Sequence, residues 1–330
     1  MDAPVHGSTR VVRDASLPMS MRALVRDRDG VRVAERPTPR GLADDEALVR
    51  VAVAGLCRTD LLVADGVLGA GLDGADAVRV LGHEVAGTVV ARGPEVAVEL
   101  GALVSVDPRV ACGGCSGCAG GHPCLAPRLL GVDLDGGFAD YLRVPAGCLV
   151  PIPNTSVDLR AAAYVEPIAA SLAVLDTGIR PDQRGLVLGD GRIATLTLEL
   201  LRHHGYARVE ALAPESASAR PADAFDFVIE TRNDPASLAA AVRLLRPRGR
   251  LVLKSRSATP LVLDPLALIR KRLELVAADY GSFTAAAALI GPGGLDLSGL
   301  WTEPRPLDAH AELFAAARAG EGRKLFFTLA

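Results

Sequence analysis

The sequence predicts an α/β chain of two domains, a small irregular β-barrel followed by a doubly wound parallel sheet of Rossmann type. Three observations carry that expectation. At 330 residues the chain exceeds one ordinary hydrophobic core, and two domains is the natural division. In the first half, short apolar runs of strand character are separated by Gly and Pro, as in a barrel with long loops. From Gly185 onward, short apolar strands alternate with helical segments, which implies a parallel sheet covered on both faces. Hydrophobic residues make up 49% and aromatics only 4%, so Val, Leu, Ile and Ala must fill both cores.

Taken in order, residues 1–20 mix Pro, Gly, Ser and single charges and read as a flexible tail, with Met19 or Met21 as alternative starts. Met21-Arg-Ala-Leu-Val opens the first strand. Residues 46–54 alternate in part, as a half-buried strand does. Val85–Val90 and Leu103–Val106 give two more, and the barrel domain is expected over 21–152. After Pro151-Ile-Pro153, residues 159–176 read as a helix of Leu and Ala interrupted by Pro167. The expected parallel strands are Gly185–Leu188, Val209–Leu212, Phe225–Glu230, Arg250–Lys254 and Leu273–Ala277, within a Rossmann domain over 153–291. Between them lie helices Arg192–His203 and Pro235–Leu245. A helix at Asp308–Ala319 and a strand at Lys324–Leu329 return to complete the first domain, which therefore takes in 292–330.

Charge excludes some partners. A formal charge of −3 gives no electrostatic reason to expect nucleic acid or an anionic membrane. No apolar run reaches the roughly 18 residues that span a bilayer. The N-terminus lacks an apolar secretory core, so a cytoplasmic protein is expected. Only three lysines occur, Lys254, Lys271 and Lys324, and nearly all positive charge is arginine.

Chemistry concentrates in three places. Cys112, Cys115, Cys118 and Cys124 place four of the six cysteines in thirteen residues. Two-residue gaps aim successive sulfurs at one tetrahedral metal, and four thiolates leave no open position. This reads as a structural zinc knot, set against disulfides or unrelated free thiols. Separately, Cys57-Arg-Thr59-Asp60, Gly82-His83-Glu84 and Glu166-Pro167 supply a thiolate, an imidazole and carboxylates, a set that suits a catalytic zinc with an open position. Such a zinc lowers the pKa of a bound hydroxyl. Thr59 is placed to carry the proton outward, and Asp60 to orient the His83 ring. Singly, each residue has a plainer reading, Cys57 as a small buried hydrophobe and His83 as half of a surface pair. Third, Gly189-Asp-Gly191-Arg192-Ile193-Ala194 matches G-x-G-x-x-A after a strand, the turn that seats a pyrophosphate on a helix N-terminus. The acid expected about 20 residues on is absent, since the second strand ends Ala211-Leu-Ala213-Pro214, and no arginine replaces it.

Cys57-x-Thr59-Asp60, Gly82-His83-Glu84-x-x-Gly87-x-Val89, the four-cysteine knot, Gly136-Gly-Phe-Ala-Asp-Tyr141, Glu166-Pro167 and the glycine turn together resemble the zinc-dependent medium-chain alcohol dehydrogenases. Within that family the chain is most similar to the sorbitol, threonine and cyclitol dehydrogenase branch. The resemblance covers Met21 to the end. It implies a GroES-like catalytic domain, a Rossmann domain, an active site in the cleft between them, and a homodimer or homotetramer. It implies zinc ligation by Cys57 and His83 with Glu84 or Glu166, a second zinc on the knot, and NAD or NADP on the glycine turn. The expected reaction is hydride transfer between the dinucleotide and a secondary alcohol, polyol or cyclitol-type substrate, or its ketone. The alternative is a zinc-bearing relative that has lost nicotinamide use and serves as a scaffold or partner subunit, motivated by a short link after the second strand. The knot departs from the family pattern in holding five residues, not seven, in its last gap.

Overall fold

Apolar residues at Met21, Ala23 and Val25 bury one face of the first strand, β1 (Ser20–Asp27), while Ser20 and Arg22 face out. β1 pairs antiparallel with β2 (Gly30–Pro37) across a two-residue turn. The computed structural model describes residues 17–69, 77–153, 157–232, 234–256, 260–297 and 299–329. The chain divides into two units, Met1–Glu166 with Trp301–Ala330, and Pro167–Leu300.

In the first unit the long strand β3 (Glu46–Leu56) leads into helix α1 (Arg58–Ala64). Then come β4 (Arg79–Val80), β5 (Glu84–Arg92), β6 (Leu103–Val106) and β7 (Arg109–Val110). The short helix α2 (Ser116–Ala119) precedes β8 (Arg128–Leu129), β9 (Tyr141–Pro145) and β10 (Leu149–Pro151). β4 extends the β1–β2 pair, and β7 pairs only with β8. Helix α3 (Leu159–Ala163), capped by Asp158, packs back against β3 and β5.

Helix α4 (Val165–Leu172) begins in the first unit and ends in the second, which continues with β11 (Gly185–Leu188), α5 (Arg192–His203) and β12 (Val209–Leu212). Next are β13 (Phe225–Glu230), α6 (Pro235–Leu244), β14 (Leu245–Leu253), α7 (Pro265–Lys271), β15 (Glu274–Ala277) and α8 (Phe283–Ala288). All five strands are parallel in the order β12-β11-β13-β14-β15. Alternation divides them between two cores. Val187, Phe227, Ile229 and Val252 fill one face, and Leu186, Leu188, Val228 and Leu251 the other. A six-stranded sheet of this class carries one more strand outside the second. Here β12 is the edge, and one 3₁₀ turn, Pro214–Ala219, follows it on the way to β13. The chain steps from β11 out to β12 and then to the other side of β11, so strand order reverses beside β11. The crevice for a ligand lies outside the carboxyl ends of β11 and β13.

The chain then returns to the first unit with β16 (Arg305–Pro306), α9 (His310–Arg318) and β17 (Leu325–Thr328). β17 lies antiparallel on β3, completing a sheet ordered β10-β6-β5-β3-β17-β16, with β9 also on β3. Leu24, Val49, Val85, Phe138 and Phe327 are central to its core.

Four expectations shift. Residues 1–16 of the expected tail lie outside the described residues, whereas Leu17 to Met19 are held by Arg40 Nη2 on the Leu17 carbonyl (2.7 Å) and by the Thr38 amide on the Met19 carbonyl (3.1 Å). Pro167 does not interrupt its helix. It sits in the first turn of α4, where no intrahelical N–H is needed, and the break falls at Tyr164. The division between units lies at 166/167 and 300/301 rather than at 152/153 and 291/292, because α3 packs on the barrel strands. β14 begins at Leu245, so α6 ends one residue early. Among the described residues no helix is long and apolar enough to cross a membrane.

Candidate functional site

β3, α1, β5 and the last strand β17 converge on one buried cluster. Cys57 is the N-cap of α1, and the Cys57 amide donates to Asp60 Oδ2 (2.8 Å) across the first turn. Asp60 is fully buried, and Oδ1 also accepts from the Gly82 amide (3.2 Å). That bond ties α1 to the start of β5 and brings His83 Nδ1 to 3.3 Å from Asp60 Oδ1. Neither ring nitrogen of His83 has a well-formed hydrogen bond, although the side chain is buried. Cys57 Sγ, a His83 ring nitrogen and a Glu84 oxygen all lie within 4.8 Å of one another. An imidazole nitrogen left unbonded inside such a donor set fits a divalent metal. Thr59 Oγ1 lies 3.8 Å from the Cys57 sulfur.

The sequence reading missed one partner. Lys324, entirely buried just before β17, forms an ion pair with Glu84. Gly55 makes room for that pair, since a Cβ at this position would collide with Glu84 Oε2 and stand 2.7 Å from Lys324 Cε. Lys324 is one of only three lysines in an arginine-rich chain, and that was its one signal in the sequence. Glu166 is buried on the first turn of α4 but is not one of the three clustered ligands. It acts on them through its charge. Burial pushes the Cys57 thiol up, but the adjacent His83 ring and its charge, with Lys324, outweigh it and bring the thiol down to about 6 against the opposing charge of Glu166. Burial drives the Glu84 carboxyl up to about 8 despite Lys324, with Cys57 and Glu166 adding to the rise. Burial works against a charged His83 ring, yet Asp60 and Cys57 hold its pKa well above the usual value. The cluster is thus one strongly coupled set of charges.

The four-cysteine segment lies between β7 and β8. All six cysteines are free, with no disulfide among them. Cys115 caps α2, and Cys115 Sγ accepts from the Cys118 and Leu125 amides (3.4 Å each), while Cys124 Sγ accepts from the Cys112 amide (3.2 Å). These amides bring the Cys115 thiol down to about 6, and Cys118, bonded to Cys115, rises to about 11. The Cys115 sulfur is 3.5 Å from that of Cys118 and 3.9 Å from that of Cys124, and all four sulfurs fall within 4.8 Å. Tetrahedral thiolates at 2.3 Å from a zinc stand about 3.8 Å apart. The cluster fits that ion, and the five-residue gap does not prevent it.

In the second unit, Gly189 adopts φ 152°, and a Cβ there would collide with Thr231 Oγ1. Gly191 is the N-cap of α5, where a Cβ would meet nothing within 4 Å. The amides of Arg192, Ile193 and Ala194 precede the first intrahelical bond, Thr195 N–H to the Gly191 carbonyl. Asp234, Asp264 and Ser282 cap α6, α7 and α8, whereas α5 has no side-chain cap. Open space over uncapped amides at the strand-order reversal fits a pyrophosphate. Ala194 packs beneath it in the core. Near the start of β12, Glu210 is held by Arg220 and Arg184. Glu215, just beyond the strand, accepts from Arg232 Nη1 at 2.7 Å. Arg232 also lies 3.9 Å from Asp190 and 3.4 Å from Asp234. No spacing in the sequence pointed to this pair.

Comparison with known proteins gives the family. Residues 43–154 match the alcohol dehydrogenase GroES-like domain. A protein of Mycobacterium tuberculosis described as a probable zinc-binding alcohol dehydrogenase is 30% identical over 94% of this chain and 88% of its own length. The L-threonine 3-dehydrogenase of Saccharopolyspora erythraea is 28% identical over 92% of this chain and 98% of its own. An Escherichia coli protein described as a short chain alcohol dehydrogenase, complexed with NADH, shares the fold, with a TM-score of 0.83 at 24% identity over 94% of this chain and all of its own. A buried Cys–His–Glu set, a four-cysteine knot and a glycine turn, on a sequence similar along nearly its whole length to such a protein, establish that the chain belongs to the zinc-dependent medium-chain alcohol dehydrogenase family.

Proposed function

We propose that this dehydrogenase transfers hydride between a nicotinamide dinucleotide and a secondary alcohol of polyol or cyclitol type, or the corresponding ketone. The observation that carries the reading is the Cys57–His83–Glu84 set, three ligand atoms within 4.8 Å around an unbonded imidazole nitrogen. Cys57 and His83 hold the catalytic zinc, with Glu84 or Glu166 as the carboxylate, and the knot of Cys112, Cys115, Cys118 and Cys124 holds a structural one. When bound, the zinc supplies Lewis acidity toward a substrate oxygen and the nicotinamide supplies or accepts the hydride.

The residues do the rest. Asp60 faces His83 Nδ1, leaving Nε2 for the metal. Lys324 balances Glu84, so two buried carboxylates and a thiolate do not accumulate uncompensated charge. The Thr59 hydroxyl, beside the Cys57 sulfur, accepts the substrate proton and passes it outward. On the second unit, Gly189, Gly191, Arg192, Ile193 and Ala194 seat the pyrophosphate. Glu215 takes the place of the missing acid at the tip of β12, steadied by Arg232. With Asp190 and Asp234 also beside that arginine, the surroundings favour ribose hydroxyls over a 2′-phosphate, hence NAD over NADP.

Titration of the zinc-loaded protein with NADH and NADPH, read by nicotinamide fluorescence, tests the cofactor. Saturable NADH binding at least about tenfold tighter than NADPH is expected, a difference of about 1.4 kcal/mol. Cys57→Ala and His83→Ala are expected to abolish turnover with an unchanged circular dichroism spectrum. Turnover retained by either variant would falsify the metal assignment.

A further inference from the structure

The first unit contains a second recessed site, well apart in composition from the cluster around Cys57. A cavity of about 500 Å³ is lined by Arg36, Arg79, Arg128 and Arg143, set against Glu46 and Asp135. The arginines come from β2, β4, β8 and β9, so four separate stretches of chain converge their guanidinium groups on one space. The two carboxylates do not satisfy them. Asp135 Oδ1 accepts from the Val80 amide (3.0 Å), and Arg79 approaches the same oxygen only to 3.8 Å. Glu46 Oε2 accepts from the Ala43 amide (2.9 Å), and Arg143 approaches Oε1 only to 3.7 Å. Both separations exceed a hydrogen bond. Arg79 Nε is buried with no hydrogen-bond partner, and Arg36 and Arg128 form no ion pair among the described residues.

Elsewhere in the same unit, half-buried guanidiniums carry close partners, as Arg109 does with Asp107 at 2.7 Å and Arg160 with Asp158 at 2.6 Å. Arg79 and Arg143 meet their carboxylates only at long range, Arg36 and Arg128 have none among the described residues, and together the four like charges present planar donor forks suited to phosphate or carboxylate oxygens. The buried side chains of Val110, Leu130 and Leu142 also line the cavity, which gives it an apolar wall as well as a charged one. None of Cys57, His83, Glu84 or Glu166 lines it. We infer that this cavity binds a small organic polyanion, a metabolite bearing phosphate or carboxylate groups on a short carbon skeleton, at a site distinct from that of the alcohol.

The test is isothermal titration of the full-length, zinc-loaded protein in phosphate-free buffer at low ionic strength, with pyrophosphate and citrate as separate probes. One equivalent of saturable binding is expected, with the tighter probe identifying the head group. Arg36→Gln combined with Arg143→Gln, two changes on surface strands, is expected to weaken binding about tenfold or more at an unchanged melting temperature. Gly191→Glu, which fills the nucleotide turn of the other unit, should leave it intact. Absence of saturable heat with both probes overturns the inference. So does binding that survives the double arginine change and disappears in Gly191→Glu, which would place the anion on the helix α5 terminus.

Discussion

Two buried residues decide how the first unit responds to its solvent. Lys324 and Glu84 are essentially inaccessible, and the ammonium is the nearest compensation for the carboxylate. Removing one member of a buried pair leaves the other charge unscreened, which costs about 3–5 kcal/mol. Lys324→Met is therefore expected to lower the unfolding free energy of the zinc-free protein, read from urea titration, by an amount of that order, and Glu84→Gln in the same chain to restore part of it. A variant as stable as its parent would show that the pair contributes nothing. Cys148 governs the alkaline side. Burial, with the charge of Asp107, pushes this thiol up to about 12 from 9.0. In the unfolded chain the thiol ionises near 9, whereas in the folded chain it stays protonated. Its contribution is complete below pH 9 and is lost as pH rises toward 12, at about 1.4 kcal/mol per unit. Cys148→Ala is expected to flatten that alkaline limb in urea midpoints measured from pH 8 to 11. An unchanged slope would count against the shift.

At the scale of elements, legibility followed sequence distance. The α5 helix was readable to its ends because Gly191 before it, the Leu and Ala periodicity within it and His203 near its close all lie inside one window. The strands of the second unit were readable because β-branched and Leu runs of four to six residues alternate between two buried faces. The helix break at Tyr164 was not, since Pro167 is the louder local signal and the packing of α3 on β3 and β5 is a tertiary effect. In the candidate site, Cys57 and His83 were legible from their neighbours in the chain. Lys324 was not, lying 240 positions from Glu84 with only its rarity to mark it. The knot was legible too, since its four cysteines lie within thirteen residues. It closes the excursion between β7 and β8, two-residue strands that hold each other through one ladder. Cys115→Ser should therefore lower the melting temperature by roughly 2–4 °C per kcal/mol lost, with turnover per folded molecule nearly unchanged. Equal melting temperatures for variant and parent would remove the structural zinc from the account.

For the molecule as a whole, the sheet of the second unit poses a question that one chain does not answer. Among the described residues β15 ends the sheet with one side unpaired, and exposed edges invite another strand. Helix α7 buries none of its residues, and Ile269 and Leu266 stand 72% and 52% exposed. Leu275 on β15 and Val262 before α7 are exposed too. Native edges are ordinarily shortened, charged or covered, yet these side chains are apolar. We propose that a second copy of the chain covers this edge, since a two-fold axis there would set β15 against its own counterpart and α7 against the same apolar patch. The proposed assembly is therefore a homodimer built on this edge, with a tetramer requiring a further surface. Ile269→Glu combined with Leu275→Glu places like charges face to face across such an axis while disturbing no buried side chain. Light scattering coupled to size exclusion is expected to give twice the chain mass for the parent and the single-chain mass for the variant. A monomeric parent, or a variant still dimeric at micromolar concentration, would move the interface elsewhere and leave the apolar edge without an occupant.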